Sequence, residues 1–124
     1  MKKVLFASGL KIPASTINKP VQNSKKEFAL GILNASKGYF ETLALSSTSK
    51  STYSNYRSDL KKFVIWSIKQ NRTNYPKLDI ETIELYHKDV QNKFAKSTLS
   101  RQIKFLKSLS KWFEANGFSH LTNH

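Results

Sequence analysis

The sequence lacks cysteine and any long apolar run, and each absence excludes a class of protein. Without cysteine there is neither a disulfide framework nor a thiolate metal site. No window approaches the about 20 consecutive apolar residues of a membrane span. The short apolar run after Lys2 and Lys3 is interrupted by Lys11, unlike a signal peptide. We therefore expect a cytoplasmic protein with no membrane partner.

Acidic residues are scarce relative to basic ones. The 124 residues include 21 lysines and arginines but only 8 aspartates and glutamates, which gives a formal net charge of +13. Such an excess is larger than solubility requires and indicates a polyanionic partner, of which nucleic acid is the first candidate. The length corresponds to one domain. We expect a nucleoid-associated domain.

Motifs that would indicate catalysis are also missing. The sequence has no Gly-x-Gly-x-x-Gly, no phosphate-loop signature and no Gly-x-Ser-x-Gly. The three histidines, His87, His120 and His124, have no cysteine or paired carboxylates to complete a metal site. We therefore expect no catalytic residue, no metal, no cofactor and no small-molecule ligand, and no enzyme complete in these residues.

The stretch from Ser49 to Trp66 has the clearest helical pattern. Its large apolar residues recur at steps of three and four, which places them on one face of a helix: Tyr53, Tyr56, Leu60, Phe63 and Val64. The opposite face is small, polar or basic. Hydroxyls at Ser49, Ser51 and Thr52 can cap the first turn, where free backbone N–H groups attract anions. We predict a helix from Ser51 to about Gln70.

Helical spacing also precedes this stretch. Ser24 and Glu27 fit a capping box, and the apolar pattern that follows predicts a helix from about Lys25 to Leu45. Gly31 and Gly38 each cost this helix about 1 kcal/mol relative to alanine. A close helix crossing and a locally weak helix both explain their presence.

A third helix is predicted from about Ile80 to Phe94, with Asp79 as its cap. Ile83, Tyr86 or His87, Val90 and Phe94 would face inward, and Leu78 and Ile80 would anchor the chain before it. Its outer face mixes acids and lysines, which is typical of a solvated helix.

The fourth helix is capped by Ser97 or Thr98 and runs to about Ala115. Its broad apolar stripe consists of Leu99, Ile103, Leu106, Leu109, Trp112 and Phe113. Its remaining face contains several cations and no acid before Glu114, whereas a merely solvated face normally mixes both signs. This face is the strongest indication of phosphate or base contact. Asn116 and Gly117 supply the stop.

The pattern Ser-x-x-Thr-x-x-x-Tyr-x-x-Asp-Leu-x-x-Phe-x-x-Trp, from Ser49 to Trp66, resembles the second helix of the core-binding domain of tyrosine recombinases, the phage integrase family. The segment from Ser97 to Lys107, with the later Asn116 and Gly117, resembles that domain's last helix and exit. The resemblance implies an all-α, four-helix fold. We predict an irregular leader at residues 1–23, the core-binding domain at 24–118, and a tail or linker at 119–124.

In the family, the second and fourth helices face double-stranded DNA. The resemblance carries that role to Ser51, Thr52, Ser54, Asn55, Ser58, Ser97, Ser100, Arg101 and Lys104, and the helical face adds Lys62. Lysines and helix N-termini would hold phosphates, whereas Arg101 and Asn55 have the donors to read guanine and adenine.

The family cuts DNA with a tyrosine nucleophile in a catalytic domain that would follow residue 124, so we expect a fragment of a recombinase. It would support site-specific recombination and DNA integration beside other protomers on DNA. Two alternatives remain open: a self-standing DNA-binding accessory protein of a mobile element with the same fold, and a helical protein-interaction module. A helix-turn-helix built from the third and fourth helices leaves the pattern of the second unexplained.

Overall fold

The computed structural model describes residues 20–70 and 77–122, and the all-α, four-helix fold is confirmed. The helices are α1 (Pro20–Ala44), α2 (Lys50–Lys69), α3 (Ile80–Val90) and α4 (Lys96–Ala115), followed by a short 3-10 helix at Ser119–Leu121. Residues 1–19 of the predicted leader, residues 71–76 and the final Asn123 and His124 lie outside the described residues.

One core lies between the helices, and α4 is its centre because it packs against α1, α2 and α3. The largest fully buried apolar side chains come from all four helices: Ile32, Phe63, Ile83, Tyr86, Phe105, Leu106, Leu109 and Phe113. Phe105 and the fully buried Gln102 lie outside the apolar stripe that the sequence predicted. The buried face of α4 is therefore wider than its apolar periodicity indicated.

The first helix begins at Pro20 rather than near Lys25. Proline suits the first turn because its fixed φ is helical and its missing N–H would have no partner there. Ser24 consequently lies inside the helix, and the predicted capping box is wrong.

Gly38 marks a close crossing of α1 and α4. A Cβ atom at Gly38 would lie 2.8 Å from Cη2 of Trp112, whereas one at Gly31 would make an ordinary contact of 3.8 Å with Cδ2 of Leu121. The close-crossing explanation therefore holds for Gly38. It does not apply to Gly31.

The predicted N-caps of α2 and α3 are confirmed, but the predicted end of α3 near Phe94 and the anchoring role of Ile80 are not. Asp79 accepts a hydrogen bond from the Thr82 N–H at 2.8 Å, as expected of an N-cap. The helix ends at Val90, with Tyr86 buried and His87 exposed. Ile80 is 54% exposed, so the prediction that it anchors the chain is wrong.

The N-cap of α4 is Ala95, which has no side-chain acceptor for the first turn. Ser97 and Thr98 both lie within the helix, so the prediction that one of them caps it is wrong. At the other end Asn116 is the C-cap and Gly117 has φ of +88°, a conformation that favours glycine. The predicted stop is confirmed.

The 3-10 helix at Ser119–Leu121, within the predicted tail or linker, packs against α1 and α4. Leu121 is buried, and its carbonyl accepts a hydrogen bond from the Leu78 N–H at 2.8 Å. The Ser110 hydroxyl in turn donates to the Leu78 carbonyl at 2.7 Å. These bonds fix Leu78, just after the segment 71–76, to α4 and the 3-10 helix.

Candidate nucleic-acid interface

Hydroxyl groups cluster at the start of α2. Ser49 is the N-cap, and its oxygen accepts from the Thr52 N–H at 3.2 Å. The Ser49 hydroxyl also lies 2.9 Å from that of Thr52 and 3.3 Å from that of Ser51. This first turn presents small polar groups, and no acidic side chain lies in it. Negative charge is therefore not repelled there.

The middle of α2 is joined to the first turns of α4 by an ion pair. Arg101 donates through Nε to Oδ2 of Asp59 at 3.0 Å and through Nη2 to Oδ1 at 2.8 Å. The Asp59 side chain is fully buried, and that of Arg101 is 32% exposed. One turn along, the Tyr56 ring stacks on Phe105 with centroids 4.8 Å apart. These contacts fix which flank of α2 lies beside α4.

Lys62 extends this flank towards the start of α4. Its Nζ lies 5.2 Å from the centroid of the Phe94 ring, which precedes α4. An exposed cation over an aromatic face gains about 0.5–1 kcal/mol. Asn55, Asp59 and Lys62 are spaced at four and three residues, so they lie on one side of α2. That side is the one facing α4.

The start of α4 adds backbone donors to the same surface. Because Ala95 offers no side-chain acceptor, the first N–H groups of α4 have no cap from that residue. Such groups carry the positive end of the helix dipole and attract anions. Exposed Ser97 and Lys104 follow on the outer side of the helix.

The structure keeps most of the predicted DNA-binding residues accessible. Thr52 and Arg101 are half-buried, and the others are exposed: Ser51, Ser54, Asn55, Ser58, Lys62, Ser97, Ser100 and Lys104. Their contact with DNA stays a prediction. Ser54 lies about 140° around α2 from Asp59, at 100° per residue. Ser54 is therefore on the outer face of α2 and not beside α4.

Arg101 already has a protein partner, which limits how it can act. Its hydrogen bonds to Asp59 raise the pKa of the guanidinium, so the group stays charged. Nε and Nη2 are engaged and Nη1 is the nitrogen outside the pair. A guanidinium group that binds a carboxylate through two nitrogens cannot at the same time bind a guanine through the same two nitrogens.

Sequence reasoning missed the role of Asp59. The signal that could have identified it is its isolation, because it is the single acid of α2 and adjoins the apolar Leu60. An acid at the edge of an apolar face requires a cation from a neighbouring helix once it is buried.

Positive charge is concentrated on α2 and α4. Each contains five lysines or arginines and one acid, and the acid of α2 is neutralised by Arg101. By contrast, α3 contains three acids and one lysine. Part of the excess positive charge of the chain therefore lies on a defined surface formed by two adjoining helices, α2 and α4.

Within 20–70 and 77–122, no three histidine, aspartate or glutamate side chains are grouped so that they could hold a metal ion. None of the helices in that part of the chain combines the length and apolar character needed to cross a membrane.

The family model for the phage integrase N-terminal SAM-like domain matches residues 37–117. The chain belongs to this family. The match covers the last eight residues of α1 and all of α2, α3 and α4, so both helices of the candidate surface lie within it. This N-terminal integrase domain is non-catalytic. No curated protein and no solved structure matches the chain significantly.

Proposed function

We propose that this SAM-like integrase domain binds double-stranded DNA through one flank of α2 and the outer face of α4. The observation that carries the proposal is the ion pair between Arg101 and Asp59. It sets the polar flank of α2 beside the uncapped start of α4 and cancels the one acid on α2. What remains exposed on that surface is cationic or small and polar.

Within this surface the groups divide by chemistry. Lys62, Lys104 and the first backbone N–H groups of α4 hold phosphates, which sets position without reading sequence. Asn55 is exposed and its amide can pair with an adenine edge. Arg101 holds α2 and α4 together through Asp59, and Nη1 is the one of its nitrogens outside that pair. Cutting the DNA belongs to a catalytic domain joined to this one.

In that setting the domain supports site-specific recombination and DNA integration in the cytoplasm, at the nucleoid. It holds the duplex while neighbouring protomers assemble on the same DNA. A self-standing accessory protein would use the same surface and would bind without any catalytic domain. Both versions of the proposal predict binding by the 124-residue chain.

The first test is an amide chemical-shift titration of the labelled chain with a short duplex at two salt concentrations. We expect the shifts to cluster at residues 51–62 and 97–107 and to weaken as salt rises, because counterions compete for phosphates. Shifts confined to other regions would reject this surface. No binding at low salt would favour a protein-interaction module.

A matched pair of variants isolates one phosphate contact. Lys104→Gln removes an exposed cation from the proposed surface, and Lys37→Gln removes an exposed cation from α1. If Lys104 holds one phosphate, its variant reduces the slope of log affinity against log salt by about 0.9. The Lys37 variant keeps the slope of the unsubstituted chain. Equal slopes for the two variants would remove Lys104 from the interface.

A further inference from the structure

A groove of about 560 Å³ lies between the end of α3 and the first half of α4. Its floor is apolar, formed by Leu99 and Ile103. Amide side chains border it at Gln91 and Asn92, which follow α3. None of these four residues belongs to the surface described above.

Cations surround this groove without any carboxylate. These cations are Lys96, Lys104 and Lys107 from α4, and the His87 ring of α3 also lines the groove. Three other grooves of the described helices each include at least one acid: Glu41 between α1 and α2, Asp89 between α2 and α3, and Asp79, Glu81 and Glu114 near the 3-10 helix. Lys107 also lines the last of these grooves, whereas Lys96 and Lys104 line none of the three. Lysines that face a groove without a carboxylate favour an anion there.

The groove lies on the side of α4 away from α2. At 100° per residue, Lys107 is about 120° around the helix from Arg101, and Lys96 is about 140° from it. Lys104 lies between Arg101 and Lys107. The helix therefore has basic groups on both flanks, one adjoining α2 and the other adjoining α3.

A helix with two basic flanks suits the major groove of DNA. That groove is about 12 Å wide, which matches the diameter of about 10–12 Å of a helix with its side chains. A helix placed in it is bordered by the phosphates of both strands. The flank of α4 with Lys96 and Lys107 then serves one border, and Lys62 beside the paired Arg101 serves the other.

We propose that the groove between α3 and α4 is a second binding site for backbone phosphates of the bound duplex. Lys96 and Lys107 hold the phosphates, and the Gln91 and Asn92 amides donate to the phosphate oxygens or sugars. The inference rests on the proposed DNA-binding function and extends it to residues outside the surface of α2 and the outer face of α4.

The test compares two double variants by fluorescence anisotropy with one labelled duplex, between about 50 and 200 mM salt. The groove variant is Lys96→Gln with Lys107→Gln. The control is Lys37→Gln with Lys61→Gln, which removes the same charge from exposed positions on the groove between α1 and α2. Thermal unfolding confirms that each remains folded.

Two lost phosphate contacts reduce the slope of log affinity against log salt by about 1.8, at about 0.9 for each contact. We expect that reduction in the groove variant and a smaller one in the control. The side-chain amide signals of Gln91 and Asn92 should also shift when DNA is added to the unsubstituted chain.

The outcomes separate the two proposals. If the unsubstituted chain binds DNA and the groove variant and the control have the same slope, this inference is overturned and the proposed function stands. If DNA shifts the signals of the groove residues but not those of residues 51–62, the phosphate site in the groove is supported and the proposed DNA-binding surface on α2 is rejected. If the unsubstituted chain does not bind at low salt, both are overturned.

Discussion

Arg101 holds both carboxylate oxygens of Asp59 and thereby joins the middle of α2 to the first turns of α4. The Asp59 carboxylate has no exposed surface, so it has lost its hydration and depends on this partner. The pair thus decides how the two most basic helices of the domain lie against each other. A residue that resembles a base reader in sequence is first of all a link between helices.

Arg101→Gln should lower the free energy of unfolding by about 3 kcal/mol, because it leaves the buried Asp59 charge unpaired. Arg101→Lys keeps a charge but not the planar fork, and its cost should be intermediate. Urea unfolding followed by circular dichroism measures both. The exposed Lys104→Gln is the control, and it should stay within about 0.5 kcal/mol of the unsubstituted chain.

The double variant Asp59→Asn with Arg101→Gln tests whether the two residues act on each other. If they do, it should lose less stability than the sum of the single variants, since neither charge is then left alone. Strict additivity would show that Arg101 acts through some other contact.

Apolar spacing was enough to predict the four helices, because each buries one face against the others. It indicated the apolar face of α2 from Tyr53 to Val64 and the apolar stripe of α4. Capping and turn preferences indicated Asp79 as the N-cap of α3 and Gly117 as part of the end of α4. Apolar spacing could not indicate the partner of a polar side chain, since that depends on which helix faces which. Arg101 with Asp59 is one such pair.

Local sequence also failed where a competing signal decided the outcome. The capping box at Ser24 is wrong because the described helix already includes Pro20, one turn earlier. In α4, Ser97 and Thr98 are good caps, yet the helix begins before them. Of the candidate site, the sequence predicted the exposed faces of α2 and α4, but not that Ser54 lies away from α4.

Gly38→Ala should destabilise the domain although alanine favours helices. The new Cβ would lie 2.8 Å from Cη2 of Trp112, and the rigid indole stacks on Phe118 with centroids 5.9 Å apart. The cost of overpacking, about 1–3 kcal/mol, should exceed the gain of about 1 kcal/mol in helix propensity. The midpoint of thermal unfolding measures the balance.

Gly31→Ala is the matched control on the same helix. Its Cβ would make an ordinary contact of 3.8 Å with Leu121, so the propensity gain should dominate and the midpoint should rise. A rise for both variants would show that Trp112 moves aside without cost, and that the helix crossing does not require glycine.

Lys25→Met should destabilise the domain by about 1.5–3 kcal/mol. The Lys25 ammonium group is buried, and it donates to the carbonyl of Gln70, the C-cap of α2, where the helix dipole favours a cation. Lys26→Met, at the exposed neighbouring position, should change stability by less than about 0.5 kcal/mol. Similar urea midpoints for the two variants would contradict this role for Lys25.

Tyr86 should make the domain sensitive to alkali. Burial, with a smaller contribution from the Asp59 charge, raises its pKa to about 12, whereas an unfolded chain ionises tyrosine near pH 10. Below about pH 10 both states keep the proton. Between about pH 10 and 12 the unfolded state loses it first, so stability falls as the pH rises.

The Tyr86→Phe variant separates this effect from the titration of the other tyrosines and the lysines. It is less stable at neutral pH, because Oε1 of the buried Gln102 loses the Tyr86 hydroxyl at 2.5 Å, a cost of about 1–3 kcal/mol. Above about pH 10 its stability should fall less steeply than that of the unsubstituted chain, since it cannot ionise at this position. Urea midpoints measured from pH 8 to 12 test the difference. Parallel pH profiles for the two proteins would mean that the Tyr86 hydroxyl ionises as readily in the folded chain as in the unfolded one.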